Sequence, residues 1–312
     1  MVEYMLNKYY QNVGVKGYFK RYGLVNSVKR GIFLTNSFHL VKDYEIKKVL
    51  WQKKATQKIR KYLKYKDHDV TGLRFNTELG GIEPIWVFWN TGIETSPDIV
   101  KCCLNSIKKY ADREVIFLDE ASIDKYVIFP DYIQQKVKNG NIPIAGYTDL
   151  MRFALLEHYG GIWIDSTVYL SGPIPNVIAS CDFFAPQNSM CLIDNPVLFP
   201  AWFLRAKKKN NLIRYIRNVA FAYWTKEDHV IEYLLPNLII TEVIKELGMI
   251  KLIPYMNTDY SEYLVRCLGD EYNREKLDWV FKLTSIHKLS YKLDQDIDTF
   301  ESVYKHLITS EI

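Results

Sequence analysis

The spacing of apolar positions changes along the chain, and each change marks an element. Between Lys42 and Lys66, Ile46, Val49, Leu50, Ile59, Tyr62 and Leu63 recur at three- and four-residue spacing, with lysines filling the other face. That period predicts a basic amphipathic helix. Residues 1–40 mix Tyr, Phe, Lys and Arg and are broken by Gly14, Gly17, Gly23 and Gly31, which predicts short helices and turns. Residues 67–83 contain Gly72, Gly80 and Gly81 and read as a linker. The pattern then becomes regular. Ile85-Trp86-Val87-Phe88 is an apolar run of strand length, and Ser96-Pro97 places a cap and an N1 proline before Ile99, Val100, Leu104 and Ile107. That helix ends near Tyr110, and Glu114 to Leu118 reads as a second strand. Strand, helix, strand at this spacing predicts a parallel βαβ unit in an α/β sheet.

Further along, Thr148 is expected to cap a helix from Asp149 to about Tyr159, burying Leu150, Phe153, Ala154 and Leu156. Gly160-Gly161 stops it, and Ile162-Trp163-Ile164 forms a third strand leading to Asp165. A fourth strand falls around Asp182 to Ala185, and helices over 211–224, 230–247 and 258–268 follow. The chain thus divides into a basic helical region, 1–82, and an α/β domain, 83–312, with a helical insertion at about 196–270.

Composition excludes several classes. With 312 residues, 48% apolar and 25% charged, the chain is neither disordered, collagenous nor a coiled coil. The net charge of +5 conceals an asymmetry: residues 1–66 carry 16 Lys/Arg against Glu3, Asp43 and Glu45, leaving the remainder at −8. A basic arm on an acidic body points to an anionic partner surface for the arm. A solvated helix is one explanation. Nucleic acid is another, but no recognised nucleic-acid motif accompanies the charge, so no such partner is expected. The third is an interfacial helix on an anionic cytoplasmic leaflet, where each Lys/Arg contributes about 1 kcal/mol and Trp51 would anchor at the headgroups. Five cysteines without a CxxC pair build no disulfide framework or zinc site and suit a reducing compartment. No secretory signal is expected, and no stretch approaches the roughly 18 apolar residues of a spanning helix. The expected location is cytoplasmic, peripheral on the inner face of the cell membrane.

The residues richest in chemistry run from Ala145 to Thr167. Asp149 and Arg152 are three apart and share one helix face, placing a carboxylate beside a guanidinium near a helix start. A local ion pair is the plain alternative. Gly160-Gly161 permits a tight turn and close backbone approach. Asp165 follows an apolar strand at its carboxyl end, where open α/β sheets bind ligands, and Asp165-Ser166-Thr167 is poorly explained as core.

These residues resemble the capsular-polysaccharide-synthesis glycosyltransferases, relatives of the DxD-containing sugar transferases of glycosyltransferase family 32. The matching pieces run in order: Ile85 to Trp89 with Pro97 and Cys103; Asp149-Leu150-x-Arg152; Gly160 to Tyr169; Trp202-Phe203; and Ser285 to Leu289. The resemblance implies a GT-A-like, Rossmann-like mixed sheet and transfer of a hexose, with retention, from a nucleotide-sugar donor, most simply a UDP-sugar. It implies a glycan or lipid-linked oligosaccharide acceptor and a divalent metal, Mn2+ or Mg2+. Asp149, Arg152 and Asp165 would be catalytic. Phe88, Trp89, Gly160, Gly161, Ser166, Thr167 and Lys288 would join them in binding the donor. Phe88 and Trp89 fit core packing as well as base stacking. Asp165, Thr167 and His287 would hold the metal; Thr167 stands at the third DxD position, where a hydroxyl is a poorer ligand than a carboxylate. His287 is equally readable as a structural histidine. Asn195 and Trp202 would shape the acceptor or sugar pocket, core packing serving nearly as well for Trp202. Alternative readings are a toxin-like protein glycosyltransferase and a non-catalytic polybasic adaptor on a degenerate transferase fold.

Overall fold

The computed structural model describes residues 13–36, 43–189, 194–293 and 301–309. Helices α1 (Gly14–Asn36) and α2 (Tyr44–Arg60) come first, followed by β1 (Arg74–Phe75), β2 (Ile85–Phe88), α3 (Asp98–Tyr110) and β3 (Val115–Leu118). Next are β4 (Val127–Ile128), α4 (Asp131–Lys138), α5 (Ile144–Tyr159), β5 (Gly161–Ile164) and β6 (Val168–Leu170). The chain continues through α6 (Asn176–Ala179), β7 (Phe183–Phe184), β8 (Phe203–Ala206), α7 (Asn211–Lys226) and α8 (Leu235–Glu246). It finishes with α9 (Thr258–Ser261), α10 (Tyr263–Cys267), α11 (Arg274–Leu283), β9 (Ile286–Lys288) and α12 (Val303–Thr309). No helix among the described residues is long and apolar enough to cross a membrane.

The main sheet has the order β3-β2-β5-β8-β7. β2 runs parallel to both β3 and β5, whereas β8 is antiparallel to β5 and to β7. The fold is therefore α/β with a mixed sheet, and β2–α3–β3 is the expected parallel unit. Strand alternation divides the sheet's side chains between two cores. Trp86, Phe88, Trp163 and Leu204 enter one core with α5, α7 and α8; Ile85, Val87, Ile162, Ile164 and Phe203 enter the other with α3. Each β2 residue is buried on both faces, as parallel strands require.

Several local expectations change: Ser96, expected to cap α3, donates to the Ile93 carbonyl at 2.7 Å, and Pro97 takes the cap position. The helix expected to begin at Asp149 begins at Ile144, directly after Pro143. Proline has no amide hydrogen to lose there, and the Thr148 hydroxyl donates back to the Ile144 carbonyl at 2.8 Å instead of capping. Asp149 and Arg152 thus sit beyond the first turn, and the dipole argument for them lapses. The stretch at 196–270, expected to be helical, also contributes β8 beside β5. Four apolar residues are too short a run for periodicity to separate strand from helix.

The basic arm does not lie outside the fold. Tyr18, Tyr22, Ala55, Ile59 and Tyr62 share one core with Trp86, Leu150 and Trp163. Arg30 Nε donates to Glu232 Oε2 at 3.4 Å in full burial, and Arg60 Nε pairs with Glu242 Oε2 at 2.6 Å. Trp51, expected at headgroup level, is only 4% exposed, and its indole donates to the Ile231 carbonyl at 3.3 Å. Burial with a satisfied donor removes it as a membrane anchor. The α1 helix bends at Gly23, whose φ is 68°; a side chain there would collide with the His229 ring.

Candidate active site

The site grows from the alternation of β5. Residues two apart on a strand point the same way, so Asp165, just past the strand end, shares a side with Trp163. The Trp163 indole donates to Asp165 Oδ1 at 2.9 Å. That side of the sheet is covered by α5, which brings Arg152 over the Trp163 ring, 5.1 Å from its centroid. Arg152 Nη2 lies 3.2 Å from Asp149 Oδ1 and 3.4 Å from Asp165 Oδ1, so one guanidinium joins both acids. Its Nη1 donates to the Ala201 carbonyl, which fixes the fork.

A second cation closes the other side of Asp165. Antiparallel pairing of β6 with β9 sets Val168 opposite Lys288. From there the Lys288 ammonium donates to Asp165 Oδ2 at 3.2 Å and to Thr167 Oγ1 at 2.6 Å. Around this cluster lies a cavity of about 600 Å³ lined by Phe88, Trp89, Asp149, Arg152, Asp165 and Trp202, among others. That is an ordinary volume for a small-molecule site. Its place at the carboxyl ends of β2 and β5 is where open α/β sheets take ligands.

The two acids are electrostatically distinct. Burial raises Asp149, Arg152 lowers it and Asp165 raises it, with a net shift up to about 7. Burial opposes ionisation of Asp165 as well, but Lys288, Arg152 and the hydrogen bonds from Trp163 and Lys288 outweigh it. They hold the Asp165 carboxyl below its usual range. Asp165 is thus a fixed anion, while Asp149 titrates near neutrality.

Asp165 Oδ2 and Thr167 Oγ1 converge on a single cation, here the Lys288 ammonium. Two converging hard oxygens match the donor type of Mg2+ or Mn2+. Among the described residues no group of three His, Cys, Asp or Glu side chains gathers as a metal site. Any metal there would therefore take its remaining ligands from water and a bound diphosphate.

A family profile described as capsular polysaccharide synthesis protein matches residues 32–307. The chain belongs to the capsular polysaccharide synthesis protein family. The match spans all of α2 and the sheet and ends within α12, so it takes in the arm's second helix as well as the α/β body. Comparison with curated proteins gives no match. Among solved structures, the chain is similar to the PaToxG glycosyltransferase at 16% identity and a TM-score of 0.39, covering 65% of this chain and 81% of that one. It is also similar to the apo form of the glycosyltransferase GlyE of Streptococcus pneumoniae TIGR4, at 12% identity and a TM-score of 0.41. That likeness covers 74% of this chain and 61% of GlyE.

In this capsular polysaccharide synthesis protein, the residues singled out from sequence do not all meet. Asp149, Arg152, Asp165, Ser166, Thr167, Lys288, Phe88, Trp89 and Trp202 line the cavity. Trp89 is half-buried and meets Tyr291 edge-on, centroids 5.2 Å apart. Trp202 is buried, and its indole nitrogen has no hydrogen-bond partner among the described residues. Gly160 and Gly161 sit elsewhere. Gly160 closes α5 and Gly161 opens β5, and the rise of about 3.3 Å per residue puts Gly161 about 13 Å from Asp165, beside Pro84. Asn195 is also remote: its side chain accepts from the Val197 amide at 3.0 Å, and its carbonyl from Lys245.

His287 turns away from the cavity, because it neighbours Lys288 on a strand and points to the opposite face. Its Nε2 meets the Ser171 hydroxyl at 2.9 Å, and its ring lies near Tyr169 and Phe281. Burial pushes its pKa down from 6.5 to about 4. The unfolded chain therefore takes up a proton near pH 6.5 that the folded chain refuses. Stability from this group is complete above pH 6.5 and lost as pH falls toward 4, by about 3 kcal/mol in total. Urea unfolding of the wild type is expected to show this decline, and His287→Asn to lack most of it. An equal decline in the variant would assign the effect to other groups.

Sequence reasoning missed Trp163 as an orienting donor, although its two-residue spacing from Asp165 was the available signal. It also missed Arg21, Tyr233 and Tyr291, which line the cavity from distant parts of the chain. Nothing local in the sequence marks them.

Proposed function

We propose that this capsular polysaccharide synthesis protein is a glycosyltransferase that moves a hexosyl group from a UDP-sugar to a lipid-linked glycan acceptor, with retention. The observation that carries the reading is Asp165, held as an anion between Arg152 and Lys288, inside an aromatic-walled cavity of about 600 Å³. Phe88 and Trp89 offer faces for the base. Lys288 binds the diphosphate, Asp149 and Arg152 take the sugar hydroxyls, and the Trp202 indole supplies a further donor for the sugar or acceptor. A divalent metal, Mn2+ or Mg2+, would neutralise charge on the departing diphosphate, with Asp165 and Thr167 the residues to hold it.

In the transfer, the bond from the anomeric carbon to the phosphate oxygen breaks, and its electron pair leaves with the diphosphate. The acceptor hydroxyl oxygen forms the new bond on the same face, and its proton passes to the departing phosphate oxygen. Lys288 and Arg152 stabilise the developing negative charge. Both cavity carboxylates are engaged with cations, which supports same-face substitution over a covalent sugar–enzyme step. The enzyme works as a peripheral protein on the inner face of the cytoplasmic membrane.

The test is a panel of labelled UDP-sugars with a lipid-linked oligosaccharide acceptor, alongside calorimetry with and without Mn2+. One UDP-sugar is expected to bind in a metal-dependent way and to yield labelled lipid. Absence of donor binding under both conditions would overturn the transferase reading.

A further inference from the structure

Beyond the Gly23 bend, α1 turns an apolar face outward. Leu24 is 70% exposed, Val25 62%, Val28 46% and Ile32 59%. Val25, Val28 and Ile32 follow helical spacing, so they form one stripe, and Leu24 flanks it. Lys29 is exposed within the same stripe. Clustered exposed side chains of this size mark an interaction surface in water.

A basic cleft adjoins the stripe and shares Lys29 with it. It lies between α1 and α2, has a volume of about 510 Å³, and is lined by Lys29, Lys54, Lys58 and Lys61 with a single acid, Glu227. Glu227 is occupied by the Lys58 ammonium at 2.6 Å and the Tyr62 hydroxyl at 2.6 Å. Lys54 rides over the Phe33 ring at 5.3 Å and the Trp51 ring at 5.9 Å. The cleft is thus a cationic pocket with an aromatic floor, beside an apolar ridge.

We infer that this ridge and cleft dock the protein on an anionic phospholipid bilayer, with Val25 and Val28 entering the interfacial layer and the lysines taking lipid phosphates. The inference deepens the peripheral-membrane reading above and rests on it. Charge complementarity selects the occupant: the arm carries 16 basic residues against three acids over residues 1–66. A second copy would set one basic face against another, and nucleic acid would bring phosphates against valines. Helix α1 also contributes Arg21 to the wall of the candidate active site, with its guanidinium 5.0 Å over the Tyr233 ring. One helix therefore borders both the bilayer and the cavity, placing a lipid-borne acceptor next to the site that would use it.

The experiment is co-sedimentation of the full chain with phosphatidylglycerol–phosphatidylcholine vesicles and with phosphatidylcholine vesicles alone. The chain is expected to bind the anionic vesicles and to bind the neutral ones weakly. V25D/V28D and, separately, K54E/K61E are each expected to weaken anionic-vesicle binding about tenfold or more, with an unchanged circular dichroism spectrum. If wild type binds and V25D/V28D binds equally well, this face is overturned while the peripheral reading stands. Equal binding of wild type to both vesicle types would overturn the cationic cleft. Failure of wild type to bind either would overturn the face and the peripheral reading together. Nucleic-acid binding or dimerisation abolished by the same variants, without vesicle binding, would assign the surface to that partner and overturn the proposal.

Discussion

Asp165→Asn is expected to lower sugar transfer about 10³-fold while the chain stays folded. The substitution keeps the shape and an oxygen for the Trp163 indole, so the 2.9 Å bond has a replacement acceptor. It removes the anion that both Arg152 and Lys288 approach, leaving two neighbouring cations facing each other. It also removes the carboxylate from the pair of oxygens proposed above to hold a metal. The loss should appear in kcat, with circular dichroism unchanged and a melting temperature lowered by a few degrees at most. Turnover within about tenfold of wild type, measured with the donor identified by the panel, would remove Asp165 from the chemistry.

Gly161→Ala is expected to destabilise the chain by about 4 kcal/mol or to prevent folding. Gly161 has a φ of 102°, which a side-chain-bearing residue adopts only under strain. An added Cβ would also fall on the Pro84 carbonyl oxygen, a backbone atom that accepts from the Ile162 amide and cannot step aside. A donor-binding role predicts a folded protein with weak donor binding. The position at the start of β5 predicts loss of the cooperative unfolding transition before any donor is added. Urea denaturation distinguishes them, and a variant of wild-type stability would return the glycine to the binding site.

Much of the fold was legible in local pattern. β2 falls on the expected four residues, and β5 begins one residue before the expected run, because short buried strands between glycine and proline signals have few competing readings. The Asp149–Arg152 spacing was legible too, since three-residue spacing on any helix makes neighbours of the pair regardless of where the helix starts. The start itself was missed, because Thr148 offers a capping hydroxyl and Pro143 an equally good boundary, and only packing chooses between them. His287 and Lys288 are adjacent in one motif, yet strand pairing with β6 sends one into the core and the other to Asp165.

The sequence by itself determined the α/β class, the Asp149–Arg152 pair and the place of Asp165 at a strand end, because these depend on spacing within a few residues. It also determined the charge imbalance of the arm, which is a matter of counting. Only the tertiary structure decided that Lys288 completes the anion's surroundings, that Gly160 and Gly161 lie at the far end of β5 from Asp165, and that the arm packs into the core. Those outcomes depend on contacts between residues far apart in the sequence, as between Lys288 and Asp165 or Gly161 and Pro84. Strand register and helix packing select such contacts, and no local pattern carries them.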